Sequence, residues 1–188
     1  MKPKITPTNV EVHFSPDEII VSKTDLKGRI TYANRVFMRV ADYSEDDLLG
    51  VQHNIVRHPD MPRGAFRHLW DTIQRGEEWF GFVKNMTAKG HYYWVFANVT
   101  VDRFGDEVLG YYSVRRQAPQ RAIDAMEPIY AEMRRIEREA GPAKACEASL
   151  AWLTQKLEAL GTTYEALVLE LFFGKEQGQA DPNRLSRS

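Results

Sequence analysis

The spacing of apolar positions changes character twice along the chain. Glu18-Ile19-Ile20-Val21-Ser22-Lys23-Thr24 is rich in β-branched residues, and Arg29-Ile30-Thr31-Tyr32-Ala33 alternates polar with apolar. Asp25-Leu26-Lys27-Gly28 lies between them, so the stretch predicts a β-hairpin. Asn34 then stands where it caps a short helix through Val36, Phe37 and Val40. Ser44 with Asp47 has the layout of a capping box, and Gly50 stops the helix it starts. From Arg63 to Arg75, Phe66, Leu69, Trp70 and Ile73 recur at helical spacing, and Gly76 ends the run. Alternation then returns in three strand-like runs, Trp79 to Thr87, His91 to Arg103 and Glu107 to Arg116. The turns between them carry Gly90 and Gly105, and connections this short make antiparallel neighbours. Five antiparallel strands with helices gathered between the second and third read as α+β.

From Pro119 onward the period is helical. Ile123, Met126, Ile129, Tyr130, Met133 and Ile136 form one stripe, with Pro128 expected to kink or start the helix. After Gly141-Pro142, the residues Leu150, Leu153, Leu157, Leu160, Tyr164, Leu167 and Leu171 alternate spacings of three and four. Gly161 as a C-cap and Thr162-x-x-Glu165 as a capping box favour two helices there. A stripe this short serves equally to pack on the sheet, to form an αα-hairpin, or to dimerise. The expected organisation is a polar lead-in over 1–17, a folded core over 18–118, a helical extension over 119–174 and a frayed polar tail over 175–188.

Composition narrows the classes. The chain has 188 residues, 25 lysines and arginines against 26 acids, and a single cysteine. That is an ordinary globular composition. It gives no internal disulfide and no four-cysteine metal site, and no bulk charge to attract nucleic acid. No apolar run is long enough to span a bilayer. Met1-Lys2-Pro3-Lys4 looks like a signal n-region, but Thr6, Pro7, Thr8 and Asn9 interrupt what should follow. A cytoplasmic protein is expected, with the N-x-T sequons at Asn85 and Asn98 as chance matches.

Candidate chemistry concentrates in His53, Asn54, Arg57, His58 and Asp60, on a loop from Val51 to Pro62 stiffened by Pro59 and Pro62. Arginine presents a planar fork of donors for phosphate or carboxylate, and histidine adds a donor and a stacking ring. The set suits an anionic, partly aromatic ligand. Trp70, Trp79, Phe80, Phe82, Tyr93 and Trp94 suit a pocket for a flat ring, although aromatics in strands are more often core. Asn34 and Asn85 are amides in apolar stretches, able to meet both a ring donor and a ring acceptor. Against this, Asn34 reads as a helix cap and Asn85 as an outward strand position.

The string Val51-Gln52-His53-Asn54-Ile55-Val56-Arg57-His58-Pro59-Asp60-Met61-Pro62 resembles the signature of the Aer-type PAS domains, flavin-binding sensors of bacterial aerotaxis and energy taxis. Thr24 to Asn34 resembles the opening hairpin of PAS domains. Gly76-Glu77-x-Trp79, Val83-Lys84-Asn85 and His91 to Val95 resemble the later strands, and Glu127-Pro128-Ile129-Tyr130 the segment after the core. The match runs over about residues 15–135. It implies a PAS fold with short helices on one face of the sheet, binding FAD non-covalently and sensing redox state. It also implies FAD-binding roles at Arg57, His58 and Asp60, positions beside the flavin for Asn34 and Asn85, and weaker roles for His53 and Trp79. On charge grounds Arg57 and His58 suit the pyrophosphate or ribose. Asp60 suits orienting one of them, and Asn85 suits the ring edge.

Without a membrane span or a long methyl-accepting coiled coil, the expectation is a free-standing sensor. Its output would pass through a signalling partner, such as a membrane chemoreceptor, or through its own homodimer. Two other readings stay open: a haem PAS sensor using His53, His58, His68 or His91, and a cofactor-free scaffold. An enzyme is not expected, because no serine has a nucleophile-elbow context and Cys146 has no histidine near it in sequence. The same position places Cys146 outside a predicted pocket, which argues against light sensing through a flavin–cysteine adduct. A metal at His53, His58 and Asp60 matches no standard spacing.

Overall fold

The computed structural model describes residues 5–174. Five strands form one antiparallel sheet in the order β2-β1-β5-β4-β3. They are β1 (Ile20–Asp25), β2 (Ile30–Ala33), β3 (Trp79–Met86), β4 (Tyr92–Phe104) and β5 (Glu107–Gln117). Between β2 and β3 run α1 (Arg35–Ala41), α2 (Glu45–Leu48), a one-turn 3₁₀ helix (His53–Val56) and α3 (Arg63–Gln74). After β5 come α4 (Gln120–Ala140), α5 (Ala145–Ala159) and α6 (Tyr164–Phe173).

The local signals form as expected. Asn34 caps α1, accepting from the Phe37 N–H, and Ser44 and Asp47 complete a reciprocal capping box on α2. The proline-bearing loop still fits one 3₁₀ turn. Pro128 neither starts nor ends a helix: α4 begins eight residues earlier and runs through it. The break near Gly161 is real, but Thr163 is the cap of α6, accepting from the Ala166 N–H. The lead-in is held from residue 8 onward, with Thr8, Val10 and Val12 exchanging backbone hydrogen bonds with Gly90 and Tyr92. The expected tail over 175–188 lies outside the described residues.

Strand parity divides the sheet. Trp79, Val83 and Asn85 of β3, Ala97 and Val99 of β4, and Tyr111, Ser113 and Arg115 of β5 face a cavity covered by the 3₁₀ turn and α3. The alternate residues Phe82, Trp94 and Phe96 face the C-terminal helices. There Trp94 stacks on Tyr130 of α4, and Phe96 on Phe172 of α6 with ring centres 3.9 Å apart.

The heptad-like stripe is used within the chain. Leu153, Leu157, Tyr164 and Val168 are buried, and α5 packs on both α3 and α4. The Tyr130 hydroxyl donates to the Phe82 carbonyl (2.8 Å) and pairs with the Tyr164 hydroxyl (2.9 Å). Glu137 of α4 accepts from the Arg63 and Gly64 N–H groups and the Ser149 hydroxyl. A carboxylate from one helix thus caps the N-terminus of another, where unpaired N–H groups and the helix dipole favour it. Gly64 makes the approach of α5 possible: a Cβ there would lie 2.2 Å from Ser149 Oγ and 3.2 Å from the Leu150 backbone nitrogen. Gly64→Ala should therefore destabilise the chain by about 1–3 kcal/mol through overpacking. A denaturant midpoint unchanged from wild type would contradict this contact.

Candidate functional site

The cavity is about 240 Å³ and mostly apolar in lining. That is somewhat below the roughly 300–1,000 Å³ of pockets that enclose whole drug-sized ligands. It suits one ring system, with anything larger continuing outside.

Of the sequence candidates, the structure brings His53, Arg57, Trp79 and Asn85 together on this cavity. Trp79 is buried and lies over Gly81, where any Cβ would meet the indole at 2.0 Å; a glycine in mid-strand lets the ring lie flat on the sheet. Its Nε1 donates to His68 Nδ1 (3.0 Å), and its ring stacks on Tyr164. His68 is therefore a half-buried partner of Trp79, not a simple surface histidine. Asn85 is buried, paired in register with Tyr93, and bridged through the backbone to Arg57. The Arg57 guanidinium sits 4.2 Å from the centre of the Phe66 ring and donates to the Met61 carbonyl.

Three candidates do other work. Asn34 is spent on local structure: its amide also accepts from the Val21 N–H and donates to the Ile19 carbonyl. His58 is buried beside Tyr92 and accepts at Nδ1 from the Asp60 N–H. Asp60 lies outside the cavity lining and pairs with Lys84 of β3 (2.8 Å) and with Arg134 of α4. Burial pushes its carboxyl up, but Lys84 and Arg134 outweigh that and hold it below the usual value.

The residue that the pattern did not single out is Arg115. It is 2% exposed, in mid-sheet on β5, with its guanidinium 4.4 Å from the centre of the Phe37 ring. Nη2 donates to Ser22 Oγ (2.6 Å), while Nε and Nη1 have no hydrogen-bond partner among the described residues. Burial lowers its pKa to about 10, so it remains a cation at neutral pH. A buried cation with vacant donors is costly unless something anionic or carbonyl-like meets it.

Ser22 Oγ lies 3.0 Å from His53 Nε2. The Ser22 hydroxyl therefore bridges the Arg115 guanidinium and the His53 ring. Burial, then repulsion from Arg115, lowers the His53 pKa to about 3. His53 shows surface to the cavity while staying enclosed and neutral. The sign of the pH effect follows. Below its ordinary 6.5, the unfolded chain takes up a proton that the folded chain refuses until about pH 3. Stability should therefore fall with acidification across that window. His53→Gln should flatten that part of the curve, and matching pH dependence in urea titrations of both proteins would refute the assignment.

Among the described residues, no group of three or more His, Cys, Asp or Glu side chains is arranged to hold a metal, and no helix is long and apolar enough to cross a membrane.

Residues 30–113 match the family described as PAS fold. An aerotaxis receptor of Escherichia coli (strain K12) is 41% identical over 128 residues, which are 68% of this chain and 25% of the receptor. A nitrogen fixation regulatory protein of Klebsiella pneumoniae is 30% identical over 82 residues, 44% of this chain and 17% of that protein. A light-oxygen-voltage domain solved in work with a flavin analogue superposes with a TM-score of 0.51 at 20% identity, covering 57% of this chain and 82% of that one. The chain thus spans about a quarter of the length of the aerotaxis receptor, and less of the nitrogen fixation regulator.

Proposed function

The core of this chain is a PAS domain related in sequence to an aerotaxis receptor, and on that premise we propose that the chain is a non-enzymatic cytoplasmic redox sensor. It holds the flavin ring of FAD in the cavity under α3 and passes its state to a signalling partner. The observation that carries this reading is Arg115: a buried guanidinium with two vacant donor positions in the wall of a cavity sized for one ring system. A flavin bound there would supply a two-electron redox centre whose reduction adds negative charge at the ring edge.

The chain's own residues fit that chemistry. Arg115 favours an electron-rich ring edge through charge and through its vacant N–H groups. Ser22 ties His53 to Arg115, and burial with the nearby guanidinium keeps the imidazole neutral. The Asn85 amide offers both a donor and an acceptor to a heterocycle edge. Trp79 closes the apolar wall and touches α3 and α6 at once, so a shift of the ring is felt by both helices. Asp60, bonded to Lys84 and Arg134, joins β3 to α4 and gives the sheet a second route to the extension.

A haem reading has less support. His53 has its Nε2 engaged by Ser22, His68 accepts from Trp79, and His91 pairs with Thr8. Self-association belongs to the same proposal, through Leu160 and Phe173, which stay exposed after the helices pack. The decisive measurement is the absorption spectrum of the purified and FAD-reconstituted protein, before and after dithionite. Flavin bands that bleach on reduction are expected. A Soret band, or no FAD uptake, would refute the reading.

A further inference from the structure

Trp79 carries a proton acceptor that its place in the cavity wall does not require. The indole lines the cavity and is 3% exposed. Its Nε1 has only a hydrogen to give, so the 3.0 Å contact makes His68 Nδ1 the acceptor. Burial, then the nearby Arg75 charge, lowers the His68 pKa. The imidazole is therefore neutral at neutral pH and free to take a proton. Tyr164 fixes both rings, stacked on Trp79 with centres 6.1 Å apart and edge-on to His68 at 4.8 Å. His68 is half-buried on α3, so a proton placed on it has a way out to solvent.

An indole gives up an electron readily, and its N–H becomes strongly acidic when it does. Trp79 sets such a ring against the cavity with a base on its one N–H. The chain's single cysteine, Cys146, lies in α5 and does not line the cavity. A photoexcited ring bound there would meet an electron donor in the wall, not a thiol.

We propose that Trp79 and His68 form a proton-coupled electron donor through which blue light reduces the bound flavin. The inference rests on the flavin reading above. One electron passes from the indole to the photoexcited ring. The indole Nε1–H bond then breaks, with the proton going to His68 Nδ1 and a neutral indole radical left behind. Losing the proton removes the positive charge that would draw the electron back. An external thiol then supplies one electron to the indole radical, which recovers its proton from His68. Two of the resulting thiyl radicals couple to a disulfide. A flavin in its ground state is too weak an oxidant to take an electron from indole, so the route is silent in the dark.

The test is blue illumination of the FAD-loaded full chain, without oxygen and with a thiol present, in wild type, Trp79→Phe, His68→Gln and Trp70→Phe. Fluorescence per bound flavin reports the first electron step, and bleaching of the flavin bands reports the net reduction. Trp79→Phe should raise the fluorescence and slow the bleaching. His68→Gln keeps an acceptor for the indole but no base. Its fluorescence should stay low while bleaching slows by about tenfold, a small share of the roughly 10²–10⁴-fold that a positioned base contributes. Trp70 lines the same cavity, so Trp70→Phe controls for the other tryptophan and should slow bleaching less than Trp79→Phe. Electron paramagnetic resonance of illuminated, frozen wild type should show an indole radical, which decides the case if Trp79→Phe takes up no FAD. Dithionite should bleach every loaded variant in the dark. Bleaching by light that is unchanged in both Trp79→Phe and His68→Gln, or lost in Trp70→Phe instead, overturns the donor and leaves the flavin reading standing. A wild-type chain that takes up no FAD overturns both.

Discussion

Arg115→Met should make the ligand-free protein more stable while crippling flavin binding. The side chain is buried, and two of its nitrogens lack partners among the described residues. Replacing buried charge with an apolar side chain of similar volume is often neutral or stabilising, by about 1–4 kcal/mol. The gain here is reduced by the loss of the Ser22 hydrogen bond and of the cation–π contact with Phe37. A net gain of about 1–2 kcal/mol is expected in urea unfolding of the ligand-free chain. Flavin affinity should fall by about 10–100-fold, because hydrogen bonds from charged donors are worth about 1.5–3 kcal/mol. The two effects have opposite signs, which a purely structural arginine would not produce. A variant both destabilised and fully competent for flavin would show that Arg115 serves the fold alone. Residues that weaken the empty protein and strengthen the loaded one are what a functional site leaves behind in a stability profile.

Glu137→Ala should give the largest loss of stability. The carboxylate satisfies three donors at the junction of α3, α4 and α5, and it is 9% exposed. Its removal strands the first N–H groups of α3 and the buried Ser149 hydroxyl, each costing about 1–3 kcal/mol when unpaired. Water reaching the new space offsets part of this, so a net cost of about 2–5 kcal/mol is expected from denaturant unfolding. Glu137→Gln keeps one acceptor oxygen and should recover roughly half of it. An unchanged midpoint would mean that α3 is held by other contacts.

Much of the architecture is local and was therefore legible. Asn34, Ser44 with Asp47, Gly76 and the turn glycines each act within a few residues, so composition at those positions announces the element. The loop from Val51 to Pro62 was also conspicuous, because five polar side chains fall between His53 and Asp60. Their division was not visible. The 3₁₀ turn and the prolines send His53 and Arg57 to the cavity and His58 and Asp60 elsewhere, and a one-dimensional string does not state direction. Arg115 was hidden for a related reason. Arg115-Arg116 at the end of a strand looks like solvent-facing charge. Only the register that sets Arg115 opposite Ile20 on one side and Ala97 on the other buries one member of the pair. The Glu137 cap was illegible because donor and acceptor are more than seventy positions apart. The leucine stripe of the extension had two outcomes open, and Tyr130 with Tyr164 shows how the chain folds it back on itself.

Strand parity on β3 has a consequence for how relatives of this chain can differ in length. Asn85 looks into the cavity and Lys84, its neighbour, holds Asp60 on the other side. One residue inserted between Trp79 and Met86 would exchange the two faces, setting an ammonium in the cavity and an amide against α4. Insertions and deletions should therefore be purged from β3 and accepted at the β4–β5 turn. There Gly105 has nothing within 4 Å of a would-be Cβ, and Phe104 stands in solvent. Chains descended from a common ancestor should keep β3 at constant length and vary that hairpin tip freely.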